Sequence, residues 1–327
     1  FDETEFTEET ALMVTESNEI GYFEFDKVPA GNFLVREIAP PKAFVLTEEI
    51  FPVEITEDGQ TIEITIENQI IKGTAETIKV DADYPDHKLS EAVFEVYADV
   101  DNNGEFNADI DKLAGEMTET EPGLYQMKDL VYGNYFLHEK EAPEFFEKDD
   151  GYYPFSITEN EAIVRIETEA GVGFLNKAQT GSLKVVKTAD DDKIEGRTFK
   201  ISGTDFMGND YEQEFQTDEN GEIHVTLRVG EYTVSEVAGE DSDKYILPDD
   251  QTVEIKAGET TTVKMHNKLV PEVPSVPQTG DNPWMPAILG TLAGLAVLSG
   301  GALLFLRYTG KKRKSADQAD EDQGTEE

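Results

Sequence analysis

The chain has 327 residues, long enough for two or three domains, and its 70 acidic and 27 basic residues give a net charge of −43. This balance argues against nucleic acid as a partner, because phosphate contacts need a surface rich in Lys and Arg. The sequence contains no cysteine, so no disulfide can stabilise it. It begins at Phe1 without an initiator Met or a signal peptide, and we expect it to be the C-terminal part of a longer precursor.

The sequence repeats one strand pattern three times. The pattern begins with Gly, has an aromatic residue at the third position and Val or Leu at the fifth, and ends with Glu at the seventh. In chain order it occupies residues 31–37, 133–139 and 230–236. The same spacing in all three copies marks an internal repeat.

A second pattern ends each copy with an alternation of apolar residues that finishes at an Asn. Its alternating positions are Ile62, Ile64, Ile66 and Asn68; Val172, Phe174 and Asn176; and Val263, Met265 and Asn267. A third pattern opens the second and third copies and contains Lys79 and Lys187. Each of these lysines follows the preceding Asn by eleven positions. We expect the corresponding strand of the first copy to lie upstream of Phe1.

Each copy has one further predicted strand, which turn signals precede in the first and third copies. These strands cover residues 20–25, 124–127 and 223–227. Short alternating strands separated by Gly, Asp and Asn turns are typical of an all-β sandwich. We therefore predict an all-β fold of tandem β-sandwiches, with domains at residues 1–71, 72–179 and 180–269.

Polar residues of the repeats are predicted to point into the sandwich cores. Alternate residues of a strand share one face, so the Glu that ends the first pattern lies with aromatic and aliphatic residues. The Asn of the second pattern and Lys187 lie on apolar faces by the same count. The face of Lys79 is less clear, because it carries Ala75 and Thr77. Buried groups of this kind are costly unless they satisfy one another.

An acidic segment of the second copy looks like the start of an EF-hand calcium loop. Asp99, Asp101 and Asn103 offer oxygen ligands at alternate positions, and Gly104 follows them. Ile110 replaces the Glu expected at the twelfth position, and no helices are predicted to flank the loop. The sequence favours an acidic turn over a calcium site. It contains no zinc-protease, hydrolase or phosphate-loop motif, so we expect no other cofactor and no enzymatic turnover.

The C-terminal part of the chain has three predicted segments. Residues 270–283 are a Pro-rich spacer, residues 284–306 are uncharged and long enough for one transmembrane helix, and residues 307–327 form a basic and then acidic tail. The basic cluster is expected to hold this end in the cytoplasm. The spacer contains the motif residues Val276, Pro277, Gln278, Thr279 and Gly280.

This order of motif, apolar span and basic cluster resembles the sorting signal of Gram-positive surface proteins. The resemblance implies that a sortase cleaves after Thr279 and joins the new carboxyl end to an amine of peptidoglycan or of a pilin. Val276 stands where the family's LPxTG motif has Leu. The mature protein is then expected outside the cell, covalently attached to the wall, after a transient membrane-inserted stage.

The repeats resemble the collagen-adhesin B-type and SpaA-type pilin domains, which are prealbumin-like (Ig-like) β-sandwiches. The Glu-x-x-Ala-Pro sequence of that family begins at Glu139 and, shortened by one residue, at Glu37. The third copy departs from it, because Gly239 stands in place of the Pro after Glu236. The resemblance covers nearly all of residues 1–270.

The resemblance implies an isopeptide bond between the Lys of a first strand and the Asn of a last strand, promoted by the Glu. The groups carried over by position are Lys79 with Asn176 and Glu139, Lys187 with Asn267 and Glu236, and Asn68 with Glu37, whose Lys would lie upstream. Burial favours the neutral amine and protonated carboxyl that this reaction needs. Each site would react once, as maturation. The alternative is a set of ordinary half-buried polar residues.

The function that we predict is structural, a wall-anchored stalk that displays an upstream region. One alternative is an adhesin whose domains bind a host matrix protein or glycan. Another is a pilus subunit, but the sequence has no pilin motif such as YPKN, which favours anchoring as a monomer or as a basal or minor subunit.

Overall fold

The structure, a computed structural model, describes residues 10–272, and nearly all of its regular structure is β-strand. Its helical content within this range is one short 3-10 helix, Ser242–Lys244. The tandem sheets confirm the predicted all-β fold. No helix in the described part of the chain is long and apolar enough to cross a membrane. The predicted motif at 276–280 and transmembrane helix at 284–306 lie outside the described residues.

The described part of the first copy, residues 10–71, contains one antiparallel pair of strands, in which Phe33 lies opposite Val53. The two strands are β1 (Gly31–Arg36) and β2 (Ile50–Ile55). The strands predicted at 20–25 and 62–68 do not form in this copy.

The second copy is a sandwich of two sheets. Its strands are β3 (Lys72–Asp81), β4 (Val93–Ala98), β5 (Lys112–Glu116), β6 (Thr118–Glu121), β7 (Leu124–Val131), β8 (Gly133–Glu141), β9 (Tyr152–Ile157), β10 (Ile163–Arg165) and β11 (Phe174–Asn176). One sheet has the order β10–β3–β7–β6 with β11 also paired to β3, and the other has the order β5–β4–β8–β9. Large apolar side chains such as Phe94, Leu137 and Phe174 fill the space between the sheets.

The third copy repeats this architecture with two four-stranded sheets. Its strands are β12 (Thr180–Ala189), β13 (Thr198–Asp205), β14 (Asp210–Gln216), β15 (Glu222–Arg228), β16 (Gly230–Glu236), β17 (Tyr245–Ile246), β18 (Gln251–Ile255) and β19 (Thr260–Leu269). The sheets have the orders β15–β12–β19–β17 and β14–β13–β16–β18. Leu183, Phe199, Val234 and Met265 are among the residues of the core between them.

The first and last strands of the second and third copies lie side by side and run parallel. Lys79 of β3 is opposite Phe174 of β11, and Lys187 of β12 is opposite Met265 of β19. Side chains opposite each other in a ladder share a face, and the Asn two residues further along the last strand shares it too. This register brings Lys and Asn together inside each of these two sandwiches.

The same pairing explains the missing strands of the first copy. In the third copy β12 lies between β15, the counterpart of 20–25, and β19, the counterpart of 62–68. Residues 10–70 contain no strand in the place of β12, and the amide groups of 62–68 donate no main-chain hydrogen bond there. A strand forms only against a neighbour that accepts its hydrogen bonds, and neither segment has such a neighbour within residues 10–70.

The second and third copies meet at Arg228, the last residue of β15. Its guanidinium lies 2.5 Å from the Asp81 carboxylate at the end of β3 and 2.8 Å from Asp205 at the end of β13. The guanidinium also lies over the rings of Tyr84 and Phe206. A buried cation thus joins two buried carboxylates from different copies.

Candidate crosslinking sites

In the second copy, the predicted Lys, Glu and Asn are in direct contact at the centre of the sandwich. Lys79 Nζ lies 2.8 Å from Glu139 Oε1 and donates a hydrogen bond to Asn176 Oδ1. Asn176 Nδ2 donates to both oxygens of Glu139, at 2.9 and 3.0 Å. All three residues are at most 2% exposed. The three groups therefore satisfy one another away from water.

Aromatic rings enclose the Lys79 amine. The ring centroids of Phe174 and Phe94 lie 4.2 and 5.6 Å from its Nζ. Burial is the largest influence and lowers the pKa of Lys79 to about 8, against the opposing effect of the Glu139 carboxylate. The ammonium therefore gives up its proton more readily than that of a solvated lysine, and a proton transfer leaves a neutral, nucleophilic amine.

The Glu139 carboxyl is also held by a loop residue that the sequence reasoning missed. The main-chain N–H of Asp149 donates to Glu139 Oε2 at 2.8 Å. Asp149 is itself fixed, because its carboxylate accepts hydrogen bonds from the Gly151 N–H at 2.7 Å and the Tyr153 hydroxyl at 2.8 Å. A donor at the same offset of ten residues follows the Glu of the first copy, and this repeated spacing is the signal that could have found it.

The third copy brings its predicted Lys, Glu and Asn together in a different arrangement. Lys187 Nζ donates to Glu236 Oε2 at 2.9 Å, and Asn267 Nδ2 donates to Glu236 Oε1 at 2.8 Å. All three side chains are at most 2% exposed. Burial lowers the pKa of Lys187, with Glu236 opposing the shift. Asn267 Oδ1 is buried and has no hydrogen-bond partner in the described part of the chain.

The first copy holds two of the three groups. Asn68 Nδ2 donates to Glu37 Oε1 at 2.8 Å, and the Thr47 N–H lies 3.4 Å from Glu37 Oε2. Asn68 Oδ1 is buried and lacks a partner within the residues that the structure describes. The two lysines of the described part of this copy, Lys27 and Lys42, contact other side chains. The described part of this copy thus holds its Glu and Asn in contact, as the other two copies do, but without the amine.

The acidic loop of the second copy gathers three carboxylates, one oxygen each of Asp99, Asp101 and Asp111 lying within 4.8 Å of one another. Asn103, the third residue predicted for calcium, donates its N–H to Asp99 at 3.2 Å and its Nδ2 to Asp101 at 2.9 Å. Asp111 accepts the N–H of Val100 at 3.0 Å. The carboxylates thus stabilise the turn itself, and the calcium interpretation stays a prediction.

Two-sheet sandwiches in tandem, with a first strand parallel to the last, define a prealbumin-like architecture. The SpaA prealbumin-like fold domain matches the chain three times, over residues 3–70, 73–171 and 181–269. The chain therefore belongs to the SpaA prealbumin-like fold domain family. No curated protein matches its sequence.

The chain is similar to solved structures of bacterial proteins. The Bacillus anthracis TIE protein aligns with 78% of this chain at 25% identity with a TM-score of 0.57, and the chain spans 45% of that protein. A C-terminal fragment of the pilus adhesin SpaC from Lactobacillus rhamnosus GG aligns at 13% identity over 63% of this chain and 100% of its own, with a TM-score of 0.36. GBS52, the minor pilin of Streptococcus agalactiae, aligns at 17% identity over 63% and 99%, with a TM-score of 0.27. The low TM-scores of these last two support no further comparison.

Proposed function

We propose that the chain is the stalk of a wall-anchored surface protein whose second and third sandwiches are locked by isopeptide bonds. The bonds join Lys79 to Asn176 and Lys187 to Asn267. The observation that carries the proposal is the contact of a buried amine, carboxyl and side-chain amide inside each of these sandwiches. Ordinary half-buried polar residues do not require a lysine and an asparagine to share one buried carboxylate.

The reaction joins the lysine amine to the asparagine side chain with loss of ammonia. In the second copy a proton first passes from Lys79 Nζ to Glu139, which leaves a neutral amine and a protonated carboxyl. The amine attacks Asn176 Cγ and forms a C–N bond. The Asn176 nitrogen takes the proton from the carboxyl and leaves as ammonia. The attacking nitrogen gives its surplus proton to Glu139, which ends protonated.

Each bond would tie the first strand of its sandwich to the last. The bonded residues are 97 positions apart in the second copy and 80 in the third (267 − 187 = 80). A covalent link that closes a loop of this size contributes roughly 4–5 kcal/mol through chain entropy, by analogy with a disulfide. A pulling force along the chain would then pass through covalent bonds, which suits a stalk without cysteine.

The anchoring part of the proposal rests on residues 276–280, the uncharged run 284–306 and the basic cluster after it. A sortase would cleave after Thr279 and join its carboxyl group to an amine of peptidoglycan or of a pilin. The extracellular sandwiches, the spacer and the anchor would then form one covalent path to the cell wall.

Peptide mapping of the folded full chain tests the bonds. We expect one crosslinked peptide that contains Lys79 and Asn176 and another that contains Lys187 and Asn267. Asn176→Ala should remove the first and keep the second, and Asn267→Ala should do the reverse. Uncrosslinked peptides from both sites of the unaltered chain would refute the bonds.

Fractionation of a Gram-positive host that exports the chain tests the anchor. We expect the protein to be released only when the wall is digested with muramidase, and we expect Thr279→Ala to leave it in the membrane. Release of both forms without wall digestion would refute the anchor. A ladder of high-mass species from the wall would indicate polymerisation into a pilus instead.

A further inference from the structure

Two of the three repeat Glu residues receive a main-chain hydrogen bond from the residue ten positions later. The N–H of Asp149 donates to Glu139 Oε2 at 2.8 Å, and that of Thr47 to Glu37 Oε2 at 3.4 Å. Each donor residue sits in a tight turn, because its own side chain accepts the N–H two residues further on. The donor is therefore a repeated part of the fold rather than an accident of one loop.

The third copy lacks this donor. Ten residues after Glu236 comes Ile246, which belongs to the short strand β17 and pairs with β19 instead. In the described part of the chain, the Glu236 carboxyl accepts hydrogen bonds from side chains alone, Lys187 at Oε2 and Asn267 at Oε1.

The two lysine-containing sites therefore use their carboxyl oxygens differently. In the second copy, Glu139 Oε1 contacts both reacting nitrogens, Lys79 Nζ at 2.8 Å and Asn176 Nδ2 at 2.9 Å. Glu139 Oε2 accepts hydrogen bonds from Asn176 Nδ2 at 3.0 Å and from the Asp149 N–H at 2.8 Å. A main-chain N–H can only donate, so Oε2 stays the acceptor of the Asp149 bond. Because the Asp149 N–H occupies one acceptor position of Oε2, it favours a proton on Oε1, between the nitrogen that gives the proton and the nitrogen that receives it.

We propose that Asp149 is a positioning residue whose N–H makes Glu139 Oε1 the single oxygen that passes the proton from Lys79 to the departing nitrogen of Asn176. This inference rests on the proposed function and deepens it. In the third copy the proton arrives at Oε2 of Glu236 and is needed at Oε1, so that carboxyl has to rotate between the two steps. The isopeptide bond of the second copy should then form faster than that of the third copy.

The order of closure in the unaltered chain is the first test. The full chain is recovered unfolded from inclusion bodies and refolded by dilution into detergent, so that both sites start together. Samples are denatured in acid at intervals, and the crosslinked peptides of both sites are quantified by mass spectrometry. We expect the Lys79–Asn176 bond to form about tenfold faster, a small part of what a placed general acid–base group contributes. Equal rates, or earlier closure of the third copy, would overturn the proposal, whereas absence of both bonds would overturn the proposed function.

Removal of the donor is the second test. Asp149→Pro removes the N–H, whereas Asp149→Ala keeps the N–H and removes the carboxylate. We expect Asp149→Pro to slow the Lys79–Asn176 bond about tenfold or more and Asp149→Ala to retain most of the rate, with the bond of the third copy unchanged in both. Equal rates for the two variants, with matching circular dichroism, would overturn the proposal. If Asp149→Pro does not fold, the order of closure in the unaltered chain decides.

Discussion

A lysine ammonium inside a protein is costly unless a carboxylate pairs with it, and Lys79 and Lys187 each face one. Counting strand faces predicted that Glu139 and Asn176 point inward, and the structure buries both. The count left Lys79 undecided, since the small residues beside it on its strand carry little apolar signal. Its burial comes from the rings of Phe94 and Phe174, which belong to other strands and which the local pattern does not reveal.

Crosslinking of the second copy is expected to slow as the pH rises through about 8. The reaction needs one proton shared between Lys79 and Glu139, and this proton is lost as the pH rises through the pKa of Lys79, which burial lowers to about 8. The rate of bond formation on refolding should be highest at and below about pH 7, fall to about half near pH 8 and decrease further at higher pH. Time-resolved mass spectrometry of the crosslinked peptide measures it. A rate that still rises at about pH 10, as for an unassisted amine, would contradict the shared-proton mechanism.

Glu139→Gln should abolish the Lys79–Asn176 bond and leave the Lys187–Asn267 bond intact, because Gln cannot take up the lysine proton. The free energy of unfolding of the second sandwich should fall by about 4 kcal/mol or more through loss of the link. Peptide mapping and denaturant unfolding measure the two effects. Glu236→Gln is the matched control, and it should abolish the Lys187–Asn267 bond and leave the Lys79–Asn176 bond intact. A persistent Lys79–Asn176 bond in Glu139→Gln would show that Glu139 has no part in the reaction.

Strand pairing decides which elements of the repeat form. The Gly-to-Glu pattern predicted β8 and β16 correctly, since each is a regular strand with one buried face. The same reasoning was wrong for 20–25 and 62–68, because alternation shows which face a strand would bury but not whether a neighbour is present to pair with it. Contacts between distant segments, such as the contact of Arg228 with Asp81, carry no local pattern at all.

Hydrogen exchange should separate the first copy from the third in the same molecule. Among residues 10–272 the amides of 62–68 have no strand partner, whereas those of the corresponding β19 lie in a four-stranded sheet. We expect the amides of 62–68 to exchange at least about tenfold faster than those of β19 in the full chain, measured by mass spectrometry of peptic fragments. Equal protection would mean that a strand covers this segment in solution.

At the scale of the molecule, the second and third copies are connected by a buried ionic joint, the ion pairs of Arg228 with Asp81 and Asp205. Arg228 is 12% exposed at its side chain, and the Asp81 and Asp205 side chains that it pairs with are 0% and 3% exposed. Asp81 is two residues from Lys79 on β3, so the joint lies beside the proposed crosslink. The sequence did not predict this contact, because each repeat was analysed by itself and no pattern within one copy marks a residue that reaches into the next.

Arg228→Met should weaken the coupling between these two copies. It leaves two buried carboxylates without their cation, which costs about 3–5 kcal/mol. Scanning calorimetry should show a lower melting temperature and separate transitions for the second and third copies. Lys184→Met is the control, since its pair with Glu222 is partly exposed and should contribute less than about 1 kcal/mol. If both substitutions lower the melting temperature by the same small amount, the ion pairs of Arg228 do not couple the second and third copies.

The intact mass of the folded full chain tests the central claim most directly, because each isopeptide bond removes one ammonia. Mass spectrometry under denaturing conditions should give the sequence mass less two ammonia molecules, one for Lys79–Asn176 and one for Lys187–Asn267. Lys79→Arg should lose one ammonia and Lys79→Arg with Lys187→Arg should lose none, each relative to its own sequence mass. An unaltered chain at its full sequence mass would contradict the account of a covalently locked stalk.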